Sequence, residues 1–417
     1  MKVNVIHGDF NPCGGAERLS LVTMQALLQM GIDFDLTTLK SPDISKLENS
    51  YGKKLVSVMK SIKKINVINI IEELRQQQQE EKGDHKDYNY DITINTNGDA
   101  APYFHPSFSK DNAITYCHFP STKYHIECEN IEYLKTDLGM TDGSNFFSDD
   151  NDHEHINNPI NCKSSLGFSR RKEYFEILKY GYGSLMRNSK VITNSEFSRR
   201  AISNACGLDN ILILSPPIDI ETFRNVSLLA NSNGEQRDML LVISRIAPHK
   251  KIENAIKLAK ILKDNNIGKG MKIIGNLYHY YFDYYSELKR MVLNLGLTDY
   301  VTFEINASLN KLLSSMRESR VYFHPMVGEH FGIAILEAMA AGLTPVVPNE
   351  CGLAEFVPRK YQFNTIEQAA KIIIDLFNCL PKIKRVGKST EIDKFSNSHY
   401  IEGFQAMLDE LLSRIKK

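Results

Sequence analysis

No run of the 417-residue sequence stays apolar for the ~18 residues that a spanning helix needs, so any membrane contact is expected to be peripheral. Net charge is also missing, with 50 Lys+Arg against 50 Asp+Glu. No global field draws the chain to nucleic acid or anionic lipid, and only a local patch can do so. No nucleic-acid partner is therefore expected. The seven cysteines (Cys13, Cys117, Cys128, Cys162, Cys206, Cys351, Cys379) form no C-x-x-C pair. They read as reduced thiols, not as a disulfide or zinc framework. No signal peptide or anchor is legible in MKVNVIHGDF, which already reads as a strand. The expected location is cytoplasmic, extending to the cytoplasmic membrane face. The loop GDFNPCGG after that strand is not G-x-G-x-x-G, so a nicotinamide site is not supported.

What is present is ordinary in bulk: 42% hydrophobic and 24% charged residues, in a length that suits two domains of roughly 200 residues. The informative stretch is HPMVGEHFGIAILEAMAAGLTPVV, residues 324–347. Strand-like Val321 to Phe323 lead into a Gly-bearing turn, then a helix from about Gly332 to Ala341. Gly342 stops the helix and Thr344 to Val347 form the next strand. The loop of such a βαβ unit lies at the carboxyl end of its first strand, where open parallel sheets place ligands. Glu329 falls in the turn and Glu337 inside the helix, on a face shared with Ala334, Ala338 and Ala341. Amides near Gly332 and Ile333 open the helix toward an anion. A turn Glu, a helix N-terminus and a second Glu two turns on suit a nucleotide diphosphate. A buried βαβ unit with merely solvated carboxylates is the alternative reading of the same residues.

GEHFGIAILEAMAAG resembles the E-x7-E signature of retaining glycosyltransferases of family 4, which have the GT-B fold. The EHFGI wording is most similar to the eukaryotic α-1,2-mannosyltransferases that extend the dolichol-linked core oligosaccharide. The resemblance covers nearly the whole chain, with gaps at residues 76–90 and 139–165. It implies two doubly wound Rossmann-like α/β domains facing across a cleft. The expected division is 1–215, a linker over 216–236, a nucleotide-sugar domain over 237–392, and a helix over 393–417 that returns to the first domain.

Taken in order, Val3 to Ile6 reads as a strand and Ala16 begins a helix. Gly14 and Gly15 look like the family's GGAER segment, whose glycines let backbone approach the transferred group and phosphates closely. Lys53 to Arg75 interleaves Lys53, Lys54, Lys60, Lys63 and Lys64 with apolar residues. It reads either as an amphipathic surface for anionic lipid headgroups or as a helix with a solvated basic face followed by a buried strand. Gln76 to Asp87 is a polar loop. AITYCHFP is a strand ending in His118, similar to the family's strand whose terminal His lies against the donor sugar; a satisfied core histidine is the alternative. Lys123 and Tyr124 are expected on the following loop, lining the acceptor side. Asp149, Asp150, Asp152, His153, Glu154 and His155 sit on no periodic element, so Gly139 to Ser165 reads as an insertion and not a metal site.

In the second half, MLLVIS ends at Arg245, and Lys250 follows one turn later. The pair resembles the family's R-x4-K phosphate clamp, with adjacent Lys251 a rival for the role. Tyr278 to Leu295 reads as one helix. Gly352 and Glu355 are placed beside the sugar by the resemblance alone. The implied enzyme is a hexosyltransferase moving mannose from GDP-mannose onto a glycan, a lipid-linked one included. Glu329 and His118 are the catalytic candidates; Gly14, Gly15, Arg245, Lys250, Gly332, Ile333 and Glu337 are the donor-binding ones. No cofactor or metal is expected. A UDP-sugar enzyme with another acceptor, or a non-catalytic nucleotide-sugar binder, uses the same residues.

Overall fold

A computed structural model describes residues 1–68, 90–99, 112–128, 179, 182, 186–232, 237–378 and 392–415. They divide into two units, one of Met1–Asn194, Ser198–Leu214 and Phe404–Lys417, the other of Ser195–Phe197 and Ser215–Gly403.

The first unit runs β1 (Val3–Ile6), α1 (Gly15–Gln29), β2 (Phe34–Thr38), α2 (Ile44–Tyr51), α3 (Lys53–Val56), β3 (Ile65–Val67), β4 (Ile92–Asn95), β5 (Ala113–Tyr116), α4 (Ser121–Glu127), β6 (Ser189–Thr193), α5 (Glu196–Cys206, whose first two residues fall in the second unit) and β7 (Ile211–Ile213). Its strands pair in parallel in the order β3-β2-β1-β4-β5-β6-β7. VNVI, ITIN and AITY are buried along their whole length. That is why these central strands read as apolar runs and not as alternating ones.

The second unit runs α6 (Ile220–Ser232), β8 (Met239–Ile243), α7 (Ile252–Asp264), β9 (Gly270–Gly275), α8 (Phe282–Asn294), β10 (Val301–Ile305), α9 (Leu309–Glu318), β11 (Ser319–Phe323), α10 (Ile333–Ala340), β12 (Thr344–Pro348), β13 (Gln362–Phe363), α11 (Ile366–Asn378) and the start of α12 (Asn397–Ile415). From Phe404 on, α12 belongs to the first unit, where the Gln405 amide donates to the Ala26 carbonyl at 3.2 Å. The second sheet is parallel too, in the order β10-β9-β8-β11-β12-β13. Leu240, Leu241 and Val242 of β8 and Val321, Tyr322 and Phe323 of β11 form the middle of its core. In both sheets the strand order reverses once, between β1 and β4 and between β8 and β11. Loops leaving the carboxyl ends of those strands flank the crevice where doubly wound folds bind ligands.

Several expectations need correction. The segment expected as a linker is largely α6, with Ile218, Ile220, Phe223 and Val226 in the second unit's core. The prolines at 216 and 217 break the periodicity without ending the packing. Within Lys53 to Arg75, the described part is helix followed by strand, but the helix is short: α3 is one turn, a 3-10 turn spans Ser57–Ser61, and β3 follows. The strand β3 is not buried, since as an edge strand it leaves Ile65 and Val67 exposed. His118 lies two residues past the end of β5, and Lys123 and Tyr124 sit on α4, not on a loop. Tyr278 caps a 3-10 turn, His279–Tyr281, and the helix begins only at Phe282. Gln76 to Asp87 and Gly139 to Ser165 lie outside the described residues, as does Arg170 to Met186 except at Lys179, Tyr182 and Met186.

Candidate active site

The second unit's site grows from the two loops that flank its reversal. After β8, the ladder continues through Ser244 N–H to the Ile274 carbonyl and Ile246 N–H to the Asn276 carbonyl, both 2.9 Å. Between these bonds Arg245 is exposed, and its guanidinium makes no ion pair among the described residues. The loop can lie this close to β9 only because residue 275 is Gly. A Cβ there would stand 1.7 Å from the Ser244 carbonyl oxygen. A 3-10 turn, Pro248–Lys250, then brings Lys250 back over the sheet edge. Lys251, left-handed at φ 53° and exposed, starts α7 instead. This separates the two lysines that the sequence left open.

After β11, the turn holds Glu329 by its backbone: the Gly352 N–H donates to the Glu329 carbonyl at 2.8 Å. Its carboxylate accepts from Lys250 Nζ at 2.7 Å. Lys250 Nζ also lies 3.6 Å from Met326 Sδ. Both side chains are mostly buried, at 14% and 16% exposure, so this is not a screened surface pair. Burial alone would raise the Glu329 carboxyl. Lys250, and to a lesser extent His324 and His330, outweigh it and hold the group at about 2. His324 and His330 are both pushed down to about 4, chiefly by burial.

Gly332 caps α10 with φ 75°, a conformation open to Gly at little cost, and its missing Cβ leaves room for Leu353. Ile333 is the first helical residue, so the first amides of α10 follow Glu329 directly. Glu337 lies one turn into α10, half-buried. Burial raises the Tyr322 phenol well above its ordinary value, and the charges of Glu329 and Glu337 add to that rise. Arg245, Lys250, Glu329, Gly332, Ile333 and Glu337 thus all stand on the loops and helix at the reversal. Glu355, in contrast, accepts backbone N–H bonds from Glu196 (3.0 Å) and Phe197 (2.6 Å), residues of the same unit.

In the first unit, Gly14 caps α1, and its N–H donates to the Glu17 carboxylate. Its carbonyl accepts from Tyr51 OH at 2.5 Å, and Gly15 opens the helix. His118 sits over Gly98, with Nε2 3.3 Å from the Thr96 carbonyl. A carbonyl only accepts, so this nitrogen carries the ring proton. Lys123 Nζ is taken up by the Ala205 carbonyl and by Glu127, while Tyr124 is exposed. Sequence reasoning assigned no role to His7, Glu17, Tyr322 or His324, all buried. The signal was there in HGDF and FHPM, where a histidine directly follows an apolar strand.

Residues 229–391 match the family model described as glycosyl transferases group 1. A relative from Dictyostelium discoideum, described as a GDP-Man:Man(3)GlcNAc(2)-PP-Dol alpha-1,2-mannosyltransferase, is 26% identical over 219 residues, 49% of this chain and 43% of the relative. The chain spans about half the length of the relatives it matches. Among solved structures, a glycosyltransferase from Rickettsia africae aligns over 99% of this chain and 98% of its own, with a TM-score of 0.64 and 14% identity. Anabaena HepE in complex with UDP-glucose aligns over 98% and 100%, with a TM-score of 0.64 and 15% identity. At such identities the structures speak for the fold alone. The chain carries the GT-B fold, and most of its second unit is similar to the glycosyl transferases group 1 model.

Proposed function

We propose that the chain is a retaining glycosyltransferase that moves mannose from GDP-mannose onto a glycan, with a lipid-linked oligosaccharide as its acceptor. The observation that carries the reading is the Lys250–Glu329 pair, buried at the reversal of a parallel sheet and followed by the first amides of α10. Cleaving a sugar–phosphate bond leaves negative charge on the departing phosphate. Lys250, Arg245 and those amides supply fixed positive charge for it, which is the kind of preorganisation that lowers such barriers most. With these cations in the protein, the reaction needs no metal. Glu329 then reads the sugar and Glu337 the ribose hydroxyls. Of the first unit, Gly14, Gly15 and His118 are carried by the family resemblance alone. The Dictyostelium relative's description supports GDP-mannose and a dolichol-linked acceptor.

A second reading, a UDP-sugar donor, draws on the UDP-glucose complex of Anabaena HepE. Calorimetric titration with GDP-mannose and a panel of UDP-sugars separates the two. Nucleotide release with a lipid-linked acceptor then separates transfer from binding alone. No heat with any nucleotide sugar overturns both readings. We also place the chain at the cytoplasmic membrane face, in peripheral contact. Lys53, Lys54, Lys60, Lys63 and Lys64 are all exposed beside the edge strand β3, and no helix among the described residues is long and apolar enough to cross a membrane.

A further inference from the structure

In the first unit, the turn after β4 ends on a buried acid. Asp99 is 4% exposed, and donors reach both of its carboxylate oxygens. The Thr122 N–H donates to Oδ2 at 2.9 Å and the Thr122 hydroxyl to Oδ1 at 3.0 Å. The Tyr182 hydroxyl also donates to Oδ2, at 3.2 Å. Thr122 stands in the first turn of α4, so Asp99 ties the turn after β4 to the helix that follows β5. His118 lies inside that tie. Its Nε2–H meets the Thr96 carbonyl, and its ring rests against Gly98. Gly98 is left-handed at φ 76°, and a Cβ there would stand 3.1 Å from His118 Cδ2. The Asn95 amide donates to the Gly98 carbonyl at 2.8 Å and keeps the turn closed.

We infer that Asp99 is a positioning residue, which fastens the turn after β4 to the start of α4 and so fixes the His118 ring between them. The role rests on the glycosyltransferase reading above, in which His118 meets the donor sugar. Burial pushes the Asp99 carboxyl up to about 7, against the bonds from Thr122 and Tyr182, which lower it. Raised from 3.8, the acid takes its proton in the folded chain before the unfolded chain does. Protonating it therefore favours the folded state, and a loss of positioning below 7 is separate from unfolding. The proton still weakens the tie, because the new O–H needs an acceptor among groups that now donate. Facing Asp99 among the described residues are Tyr182, Cys117 after β5 and Cys206 at the end of α5. Lys123 and Glu127 of α4 lie beyond, toward Cys206.

One arm of the test uses the full chain without nucleotide, so its failure is distinct from a failure to find a donor by calorimetry. Carbon-13 at histidine Cε1 follows the His118 ring through a pH titration, with the signal assigned by its loss in His118→Gln. The signal should show an inflection near 7 that Asp99→Asn removes. Thr122→Val deletes one bond to the charged acid and should move that inflection up by about one pH unit. Thr122→Ser keeps the hydroxyl and should leave it in place. In the transfer arm, wild-type kcat should fall about tenfold below the same midpoint, with the donor KM less affected. Asp99→Asn should stay at the lower level at every pH. A His118 signal without the inflection, or Val and Ser variants that shift it alike, overturns the proposal. An Asp99→Asn chain that keeps the wild-type fall in kcat overturns it too. Should Asp99→Asn not fold, the Val and Ser pair decides alone.

Discussion

His7 Nε2 stands 3.5 Å from Glu17 Oε1, and the other oxygen of that carboxylate accepts the Gly14 N–H at the start of α1. His324 and Glu329 stand 3.6 Å apart in the second unit. In each unit a buried histidine follows a strand that flanks the sheet reversal and faces a glutamate. The consequences differ. Glu329 is shared with a lysine, whereas Glu17 caps the Gly14 amide at the start of its own helix. The Gly14 amide is therefore already satisfied, and an anion meeting that turn must displace Glu17 or use another donor.

Glu17→Ala should accordingly free that amide. Hydrogen exchange at Gly14 should accelerate, and stability should drop by about 1 kcal/mol, the usual value of such a cap. Glu17→Gln keeps an acceptor at the same reach and should restore most of both. Unchanged exchange at Gly14 in the Ala variant would show that the cap contributes nothing in solution.

The acid dependence of stability follows from signs. Glu329 is held at about 2 against an ordinary 4.5, so its stabilising contribution is complete above 4.5 and disappears as pH falls toward 2. His324 and His330, at about 4 against 6.5, are bases kept neutral by burial. Unfolding lets them bind protons, so their contribution also fades as pH falls, between 6.5 and 4. The wild-type Tm should thus begin to decline below about pH 6.5 and continue falling past 4.5. In Lys250→Met the buried carboxylate has lost its main cation and should cost about 3 kcal/mol at neutral pH. Acid relieves that cost by protonating Glu329, so the Tm gap to wild type should narrow as pH drops. A gap constant with pH contradicts the ion-pair account.

Activity gives a sharper contrast. Lys250→Ala and Glu329→Ala should each lower kcat/KM by about 10²-fold or more, the scale seen when one fixed stabilising group leaves a polar active site. Glu154→Ala, in the stretch whose sequence reads as an insertion, should change it little. Equal losses in all three variants would remove the site assignment.

Much of this was legible because buried parallel strands and their glycine-bounded loops write themselves as short apolar runs and turn residues. The βαβ unit around Glu329 and Glu337 needed only small changes of bounds, its helix from Gly332–Ala341 to Ile333–Ala340 and its second strand one residue longer, to Pro348. Helix α6 was not legible, since Pro216 and Pro217 look like a boundary while Phe223 and Val226 pack into the core behind them. The roles of His7 and His324 were hidden for another reason. A lone histidine after a strand has no period, and only the fold reveals that its ring nitrogen meets a carboxylate from elsewhere. Lys250 and Lys251 were equivalent in sequence, and the left-handed backbone at Lys251 is what sends only one of them over the sheet.

Gly275, the last residue of β9, marks a close approach between that strand and the loop after β8. Its backbone is not left-handed, so conformational freedom is not what requires Gly; the nearby Ser244 carbonyl is. Gly275→Ala must push the Arg245 loop away from β9, breaking bonds that now measure 2.9 Å. Overpacking of this kind costs about 1–3 kcal/mol. Calorimetric affinity for the nucleotide sugar should fall together with Tm, because the displaced loop carries Arg245 and leads to Lys250. A variant that loses stability but binds the donor as before would place the phosphate contacts elsewhere.

The five exposed lysines around α3 and β3 make the last case, because charge and exposed apolar surface act together there. Ile65 and Val67 stand out of the edge strand, 44% and 52% exposed, amid Lys60, Lys63 and Lys64. An edge strand with lysines on it resists pairing with another sheet, so the lysines alone fit protection against aggregation equally well. The two explanations part on lipid charge. A membrane-facing patch should carry the chain into the floating fraction with vesicles containing anionic lipid, and release it as salt shortens the Debye length from about 10 Å at 0.1 M. Lys60→Gln/Lys63→Gln/Lys64→Gln should abolish flotation while leaving Tm and donor affinity near wild type, since all three lysines stand just before the edge strand of the first unit, whereas the loops after β8 and β11 belong to the second. If the triple variant instead floats like wild type, or if neither chain floats, the lysines serve the edge strand and the membrane proposal falls.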